Sequence, residues 1–576
     1  MKRIMINPNN CKGCKNCSIA CMQAHSEGAA GSFHSLDLAD PANEARNAIL
    51  LNSKNEFKPL FCRHCDQPEC VSSCMSGALT KDNDTGFVRY DKSKCGSCFM
   101  CVMNCPYGVL KPDKATKTSV IKCDFCEQNG DNPSCVKACR SGAIYVEDTP
   151  AKEPDDGNAL LEARGDKNTA VKHVIIGAGA AGISAAKTIR KLKPGDEIAI
   201  VSTDDSVYSR CMLHNYISGE RDENGLSFIT DNFFAENNIR WISGKTVAGV
   251  DTDNKLINFA GGTEPYDKLL IATGSDSTDL PIVQSQNPKN VLGLRHLSDA
   301  KAIKERARDA ENILIIGAGL VGLDAAYALA DMGKKPTIVD MEDSILALNL
   351  DRYAADVYKQ KFEEAGCTFR LGEKVSQADS DSAGNIVSLT LSSGEKLLCD
   401  LVIVAIGSQP AVDFLADSKV NCAGGAVVDK YLHTNIEDIY AAGDAAGLSG
   451  IWPNAIKQGA VAAKNMCGIP VVYDDVFALK NTINYFGIPS LSLGEVEPAG
   501  GDMSKIRKDR NNYKKIILRD GIVAGVILQG CIAHSGFWQF LIKNNIDVAW
   551  AKDSVFDLSF ADFYGIRENG EFQWDV

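Results

Sequence analysis

No segment of the chain approaches the ~20 uninterrupted apolar residues of a membrane helix, and the sequence runs from Met1 to its first cysteine motif without the apolar core of a signal peptide. A soluble, cytoplasmic protein with no membrane span is expected. Basic charge is also short, with 61 Lys and Arg against 74 Asp and Glu, a formal net charge of −13. That deficit argues against a generic binder of nucleic acid or anionic membrane, because both need a basic surface to meet phosphates. A solvated acidic surface accounts for it. Histidine is scarce, 8 in all, and His25, His173, His214, His296 and His534 stand without ligand spacing. They read as polar surface or core residues. A length of 576 residues is enough for about four units at ~150 residues each.

What the chain does have is cysteine, unevenly spent: 16 of 22 lie between Cys11 and Cys139, and Cys211, Cys367, Cys399, Cys422, Cys467 and Cys531 are scattered. A disulfide framework belongs to small secreted domains, so the dense cysteines are read as metal or cluster ligands. They form four groups: Cys11, Cys14, Cys17 and Cys21; Cys62, Cys65, Cys70 and Cys74; Cys95, Cys98, Cys101 and Cys105; Cys123, Cys126, Cys135 and Cys139. The first and third share the spacing C-x2-C-x2-C-x3-C, and Pro106 follows the third. Three thiolates on a tight loop can face three irons of one cubane, while the fourth points to the other cluster of a pair. Sixteen ligands at four per cluster imply four [4Fe–4S] clusters. Structural zinc also uses four cysteines, but from separated C-x2-C pairs rather than such runs. A zinc-held binding module is the non-enzymatic alternative.

The segments CKGCKNCSIACMQAH, GFVRYDKSKCGSCFMCVMNCPYG and CDFCEQNGDNPSCVKACRSGAI resemble the four-cluster electron-transfer subunits that serve molybdenum and tungsten enzymes, of the dimethyl-sulfoxide-reductase and tungsten aldehyde oxidoreductase types. The resemblance covers residues 1–148. It implies crossed ligand sets: Cys11, Cys14 and Cys17 with Cys139; Cys123, Cys126 and Cys135 with Cys21; Cys62, Cys65 and Cys70 with Cys105; Cys95, Cys98 and Cys101 with Cys74.

From Val171 the pattern changes to β-branched runs, glycine turns and alanine-rich helical stretches, the form of βαβ units. VKHVIIGAGAAGISAAKTI and ENILIIGAGLVGLDAAYALADMG are internal copies. In the first, Gly177, Gly179 and Gly182 follow a strand-like run and open a helix, which lets backbone N–H groups approach a pyrophosphate. Asp204, with Asp205 as rival, is the expected acceptor for the ribose hydroxyls. The second copy carries Gly317, Gly319 and Gly322, with Asp340 ending its second strand; a carboxylate there favours NAD over NADP.

LLIATGS and IYAAGDAA resemble the FAD-contact motifs of the pyridine-nucleotide:disulfide reductase superfamily. This nominates Thr273, Gly274, Gly443 and Asp444, the last for the flavin's ribityl chain. YSRCMLHNYISGE is similar to the flavin-flanking segment of nitrite-reductase and rubredoxin-reductase types, which nominates Tyr208 and Arg210. Asp324 occupies the place where the superfamily often has Glu near the nicotinamide, and Gly407, in AIGSQP, looks like the turn closing the NAD domain. Disulfide reductases of this fold carry a redox C-x4-C; here Cys211 stands alone and is expected to be a buried thiol rather than a redox centre.

The expected fold is α/β: a ferredoxin-like α+β N-terminal domain (1–148), a linker (149–170), Rossmann-type FAD (171–290 and 413–470) and NAD (291–412) domains, and a small α+β C-terminal domain (471–576), interface-like and without readable chemistry. Its expected activity is exchange of electrons between NAD(H), FAD and the clusters, with no catalytic side chain because the chemistry is flavin-centred. The expected partner, within an oligomeric complex, is a tungsten or molybdenum oxidoreductase of the aldehyde-oxidising class. The alternative is a self-contained NADH:ferredoxin oxidoreductase or NADH oxidase.

Overall fold

The computed structural model describes residues 2–26, 36–149, 170–284 and 288–576, so the expected linker lies outside the described residues apart from its ends. The chain divides into two units: Met1–Pro154 with Asn349–Ala354 and Leu479–Val576, and Asp155–Leu348 with Ala355–Ala478.

The first unit begins with secondary structure cut into short pieces by the cysteine loops. Lys2–Ile6 pairs antiparallel with Ile144–Asp148, which brings the two ends of the cysteine-rich segment together. Among the described residues, smaller strand pairs and four α-helices of 4 to 10 residues lie between. The C-terminal segment forms a five-stranded antiparallel sheet in the order Lys480–Tyr485, Ile488–Gly494, Ile522–Gln529, Tyr513–Arg519, Met503–Lys508, with the helix Gly536–Lys543 against it. Far from standing alone, this segment is built onto the cysteine loops. Thr482 Oγ1 donates to Cys98 O at 2.6 Å, Asn484 Nδ2 to Ser97 O at 3.3 Å, and Tyr107 OH to Phe572 O at 3.0 Å. Gly536 packs so closely that a Cβ there would lie 1.8 Å from Cys105 O. Arg3, buried, pairs with Asp66 at 2.5 Å and Glu571 at 3.4 Å.

The second unit holds two five-stranded parallel sheets. One runs Ile239–Ile242, Glu197–Val201, Lys172–Ile176, Lys268–Ile271, Ile439–Ala441; the other Val291–Leu292, Leu401–Val404, Ile313–Ile316, Thr337–Asp340, Thr368–Leu371. Near-continuous Val, Ile and Leu in these strands is what a sheet covered on both faces requires. Helix Ala180–Leu192 packs closely on Trp452–Met466: a Cβ at Gly459 would lie 2.1 Å from Ala181 O, and Ser184 Oγ donates to Ile456 O at 2.7 Å. The α/β expectation with paired Rossmann-type domains is met. Among the described residues no helix is long and apolar enough to cross a membrane.

Candidate redox cofactor sites

The third cysteine of every group stands in a short helix: Cys17 in Asn16–His25, Cys70 in Glu69–Ser72, Cys101 in Met100–Asn104 and Cys135 in Ser134–Lys137. The loops leading into the first and third use left-handed backbone, with φ +68° at Gly13, +59° at Lys15, and +55° at both Ser97 and Phe99. That conformation is strained for all but glycine. Here it wraps each loop about one point. One cavity is lined by Cys95, Cys98, Cys101 and Cys74, another by Cys11, Cys14, Cys17 and Cys139. Cys65 and Cys70 neighbour Cys62 and Cys105, and Cys135 neighbours Cys123, Cys126 and Cys21. Two cavities thus each gather three cysteines of one group with the fourth of another, and the neighbours of the remaining eight fit two further sets of that kind.

All sixteen are free thiols. Burial pushes the Cys17 thiol up to about 11, and burial with neighbouring cysteines pushes Cys70 and Cys101 well above their ordinary value. Four such thiols shed their protons together only against a cationic metal centre, so the donor sets fit iron–sulfur clusters. Only Cys14 of the sixteen is exposed; exposed Lys12 and Lys15 line its cavity, and exposed Arg140 follows Cys139. His25 is no isolated histidine. Its Nε2 lies 3.1 Å from Asp124 and its Nδ1 3.8 Å from Cys21 Sγ; the i, i+4 spacing from Cys21 was the signal available.

The two glycine turns of the second unit are near copies in space. Gly177 has φ +105° and Gly317 +112°. A Cβ would meet Ala272 O at 2.2 Å in the first and Ala405 O at 2.3 Å in the second. Gly182 and Gly322 pack onto the carbonyls of Gly177 and Gly317, where a Cβ would lie 2.0 and 1.9 Å away, while Gly179 and Gly319 face open space at the helix N-termini. These open cradles fit pyrophosphates.

Register locates the ribose positions. Gly177 N donates to Val201 O and Gly317 N to Val339 O, both at 2.8 Å, so Ser202 corresponds to Asp340. Asp340 accepts from Ala318 N at 2.5 Å and Glu342 N at 2.8 Å, which hold its carboxylate at the turn. Asp204, the expected ribose acceptor, lies two residues past the strand-end position and accepts from Arg210 Nη2 at 2.7 Å and Tyr208 OH at 2.9 Å. Burial alone would raise its pKa, but His296, Arg210 and Tyr208 together hold it down at about 2. Asp205 lies instead against Gly244.

Thr273 Oγ1 donates to Ala411 O at 2.7 Å, and Gly274 and Gly443 take φ +76° and +75°. Asp444 accepts from Ser275 Oγ at 2.9 Å and from Arg295 Nη2 at 2.6 Å. Arg295, in no motif, was not anticipated. Asp324 lies 3.7 Å from His214 Nδ1, and Gly407, at φ +125°, accepts from Thr278 N through its carbonyl. Cys211 is exposed, not buried as expected. Dense surroundings nonetheless push its thiol up to about 11, and the charges of Arg295 and Asp444 act on it.

Residues 171–459 match the family described as pyridine nucleotide-disulphide oxidoreductase, residues 53–149 the 4Fe-4S dicluster domain, and residues 480–546 the rubredoxin NAD+ reductase C-terminal domain. The chain belongs to the pyridine nucleotide-disulphide oxidoreductase family. It joins that flavin- and nicotinamide-nucleotide-binding module to a 4Fe–4S domain. Among curated relatives it is 31% identical over 392 residues to the epsilon subunit of NADH-dependent phenylglyoxylate dehydrogenase of Aromatoleum evansii, covering 66% of this chain and 92% of the relative. It is 28% identical to nitrite reductase [NAD(P)H] of Bacillus subtilis (strain 168), covering 65% of this chain but only about half, 48%, of that protein. NADH:rubredoxin oxidoreductase from Clostridium acetobutylicum shares the fold, with a TM-score of 0.55 at 24% identity over 66% of this chain and 96% of that one.

Proposed function

We propose that the chain is an electron-transfer flavoprotein subunit that exchanges hydride with NAD(H) at FAD and passes single electrons through four [4Fe–4S] clusters to or from a partner oxidoreductase. The observation that carries this reading is the gathering of sixteen free cysteines into four three-plus-one sets on the chain that also carries two nucleotide cradles. When bound, FAD supplies two-electron hydride acceptance with one-electron release, and the clusters supply one-electron steps.

The protein's own residues supply binding and orientation. Gly177 and Gly179 admit the FAD pyrophosphate, Gly317 and Gly319 that of NAD, and Asp340 takes the nicotinamide dinucleotide's ribose hydroxyls. Asp444, steadied by Ser275 and Arg295, is placed to accept a ribityl hydroxyl. The exposed Cys14 set, with Lys12 and Lys15 beside it, is the surface terminus, and its positive charge on an acidic chain suits an acidic partner.

The partner is read as a tungsten or molybdenum pterin oxidoreductase of the aldehyde-oxidising class, on the resemblance of residues 1–148. The epsilon-subunit relative, by name part of a larger dehydrogenase, supports a multisubunit complex. The rubredoxin-reductase-type C-terminal domain favours a second reading, an NADH:ferredoxin-type oxidoreductase serving a soluble carrier. Anaerobic purification with metal analysis tests both. About sixteen irons per chain and a copurifying pterin subunit are expected. Full NADH turnover with ferredoxin alone supports the second reading, and few irons with zinc present overturns both.

A further inference from the structure

Two lysines beside the cysteine loops make no direct ion pair, the usual partner of a buried cation. Lys122, 5% exposed, directs its Nζ to Val88 O at 2.6 Å and Cys123 O at 2.7 Å. Lys81, half-buried, directs its Nζ to His64 O and Cys65 O at 2.8 Å and to Gly86 O at 2.5 Å. Among the described residues, no carboxylate lies within ion-pair distance of either. Lys111 shows the contrast: it is equally buried but paired with Glu44 at 3.0 Å.

Both lysines are aimed at loops that carry cysteines. The Lys122 charge reaches Cys70 of one set and Cys123 of another, and Cys123 itself neighbours Cys62. Lys122 therefore lies between two sets, whereas Lys81 feels the Asp66 carboxylate at longer range first and then Cys65 and Cys62 of one set. A cubane held by four thiolates carries net negative charge, and cluster potential follows local charge, hydrogen bonding and exposure. A fixed cation stabilises the reduced, more negative form.

We propose that Lys122 and Lys81 are built-in countercharges that raise cluster potentials, Lys122 for the Cys62/Cys65/Cys70/Cys105 and Cys21/Cys123/Cys126/Cys135 sets together and Lys81 for the first of these alone. Electrons passing through the four sets thereby rest preferentially on these two. The proposal rests on the four-cluster reading above.

Anaerobic potentiometric titration of the full chain, followed by electron paramagnetic resonance, tests it alongside iron and acid-labile sulfide counts. Lys122→Gln should lower the midpoints of two cluster signals and leave two in place, Lys81→Gln should lower one of the same two, and Lys122→Arg should stay near wild type. Unmoved midpoints in both Gln variants, or all four moving together, overturn the proposal. If Lys122→Gln sheds iron, Lys81→Gln decides: a single lowered signal supports the assignment and an unmoved set overturns it. A wild-type count well below four clusters defeats the four-cluster reading itself, a result separable from unmoved potentials at a full iron count.

Discussion

In the nucleotide-binding unit, strands Lys172–Ile176 and Glu197–Val201 bury Val174, Ile175, Ile198, Ile200 and Val201 to 3% exposure or less, and a helix covers them before any ligand is considered. Among the described residues of the cysteine-rich segment no strand exceeds 5 residues, and the buried apolar residues Phe61, Phe99, Phe125 and Val102 sit next to cysteines in sequence. One half has a core that positions a site; the other is organised by its site. The largest expected effect follows. Removing iron should release backbone protection across residues 2–26 and 36–149, with hydrogen exchange rising about a thousandfold, ~4 kcal/mol of opening free energy, while the parallel sheets of the other unit stay protected. Equal loss in both halves would break the comparison.

Inside the nucleotide-binding unit the two glycine turns offer a second contrast. Gly177→Ala drives a methyl toward Ala272 O from a left-handed backbone, and Gly317→Ala does the same toward Ala405 O. Strain of ~1–3 kcal/mol should weaken nucleotide binding by about 10- to 100-fold in each. Gly177→Ala should emerge depleted in flavin. Gly317→Ala should retain flavin but respond to NADH only at raised concentration, as absorbance bleaching would measure. Flavin loss from both would mean that the cradles are not divided between FAD and NAD as read.

The sixteen cysteines and both glycine turns were legible because each is a local spacing, and local spacing is what sequence displays. Neither Ser202 nor the displacement of Asp204 was, since the ribose position depends on which carbonyl Gly177 N reaches across the sheet. The role of the C-terminal segment was hidden for a related reason. Thr482, Asn484 and His534 grip the cysteine loops through backbone carbonyls of Cys98, Ser97 and Gly108, and such acceptors leave no side-chain signature. Arg295 and Lys122 likewise gain meaning only from partners distant in sequence or from the lack of a direct ion pair. The exposure of Cys211 depends on how the chain folds around it, which its neighbours in sequence do not reveal.

Register also predicts a graded pair. Asp340 stands where a ribose carboxylate belongs, so Asp340→Ala should raise KM for NADH about tenfold, with little change in kcat, and narrow the preference for NADH over NADPH. An unchanged KM would remove Asp340 from the dinucleotide site.

Asp204 should behave differently. Its pKa is held at about 2, below the ordinary aspartate value, by the His296 hydrogen bond, the Arg210 charge and the Tyr208 hydroxyl acting against burial. A lowered folded-state pKa means that its stabilisation is fully present above the unfolded value and is lost as pH falls from there through about 2. Asp204→Asn should therefore cost ~1 kcal/mol at neutral pH, trimmed by partial solvent screening, and should flatten acid unfolding of this unit between about pH 4 and 2. Flavin content should hardly change, with FAD affinity falling less than about threefold, because Ser202 rather than Asp204 occupies the strand-end position. A tenfold or greater loss of FAD affinity would instead make Asp204 the ribose partner and would show that the two turns, alike in backbone, bind their nucleotides in different registers.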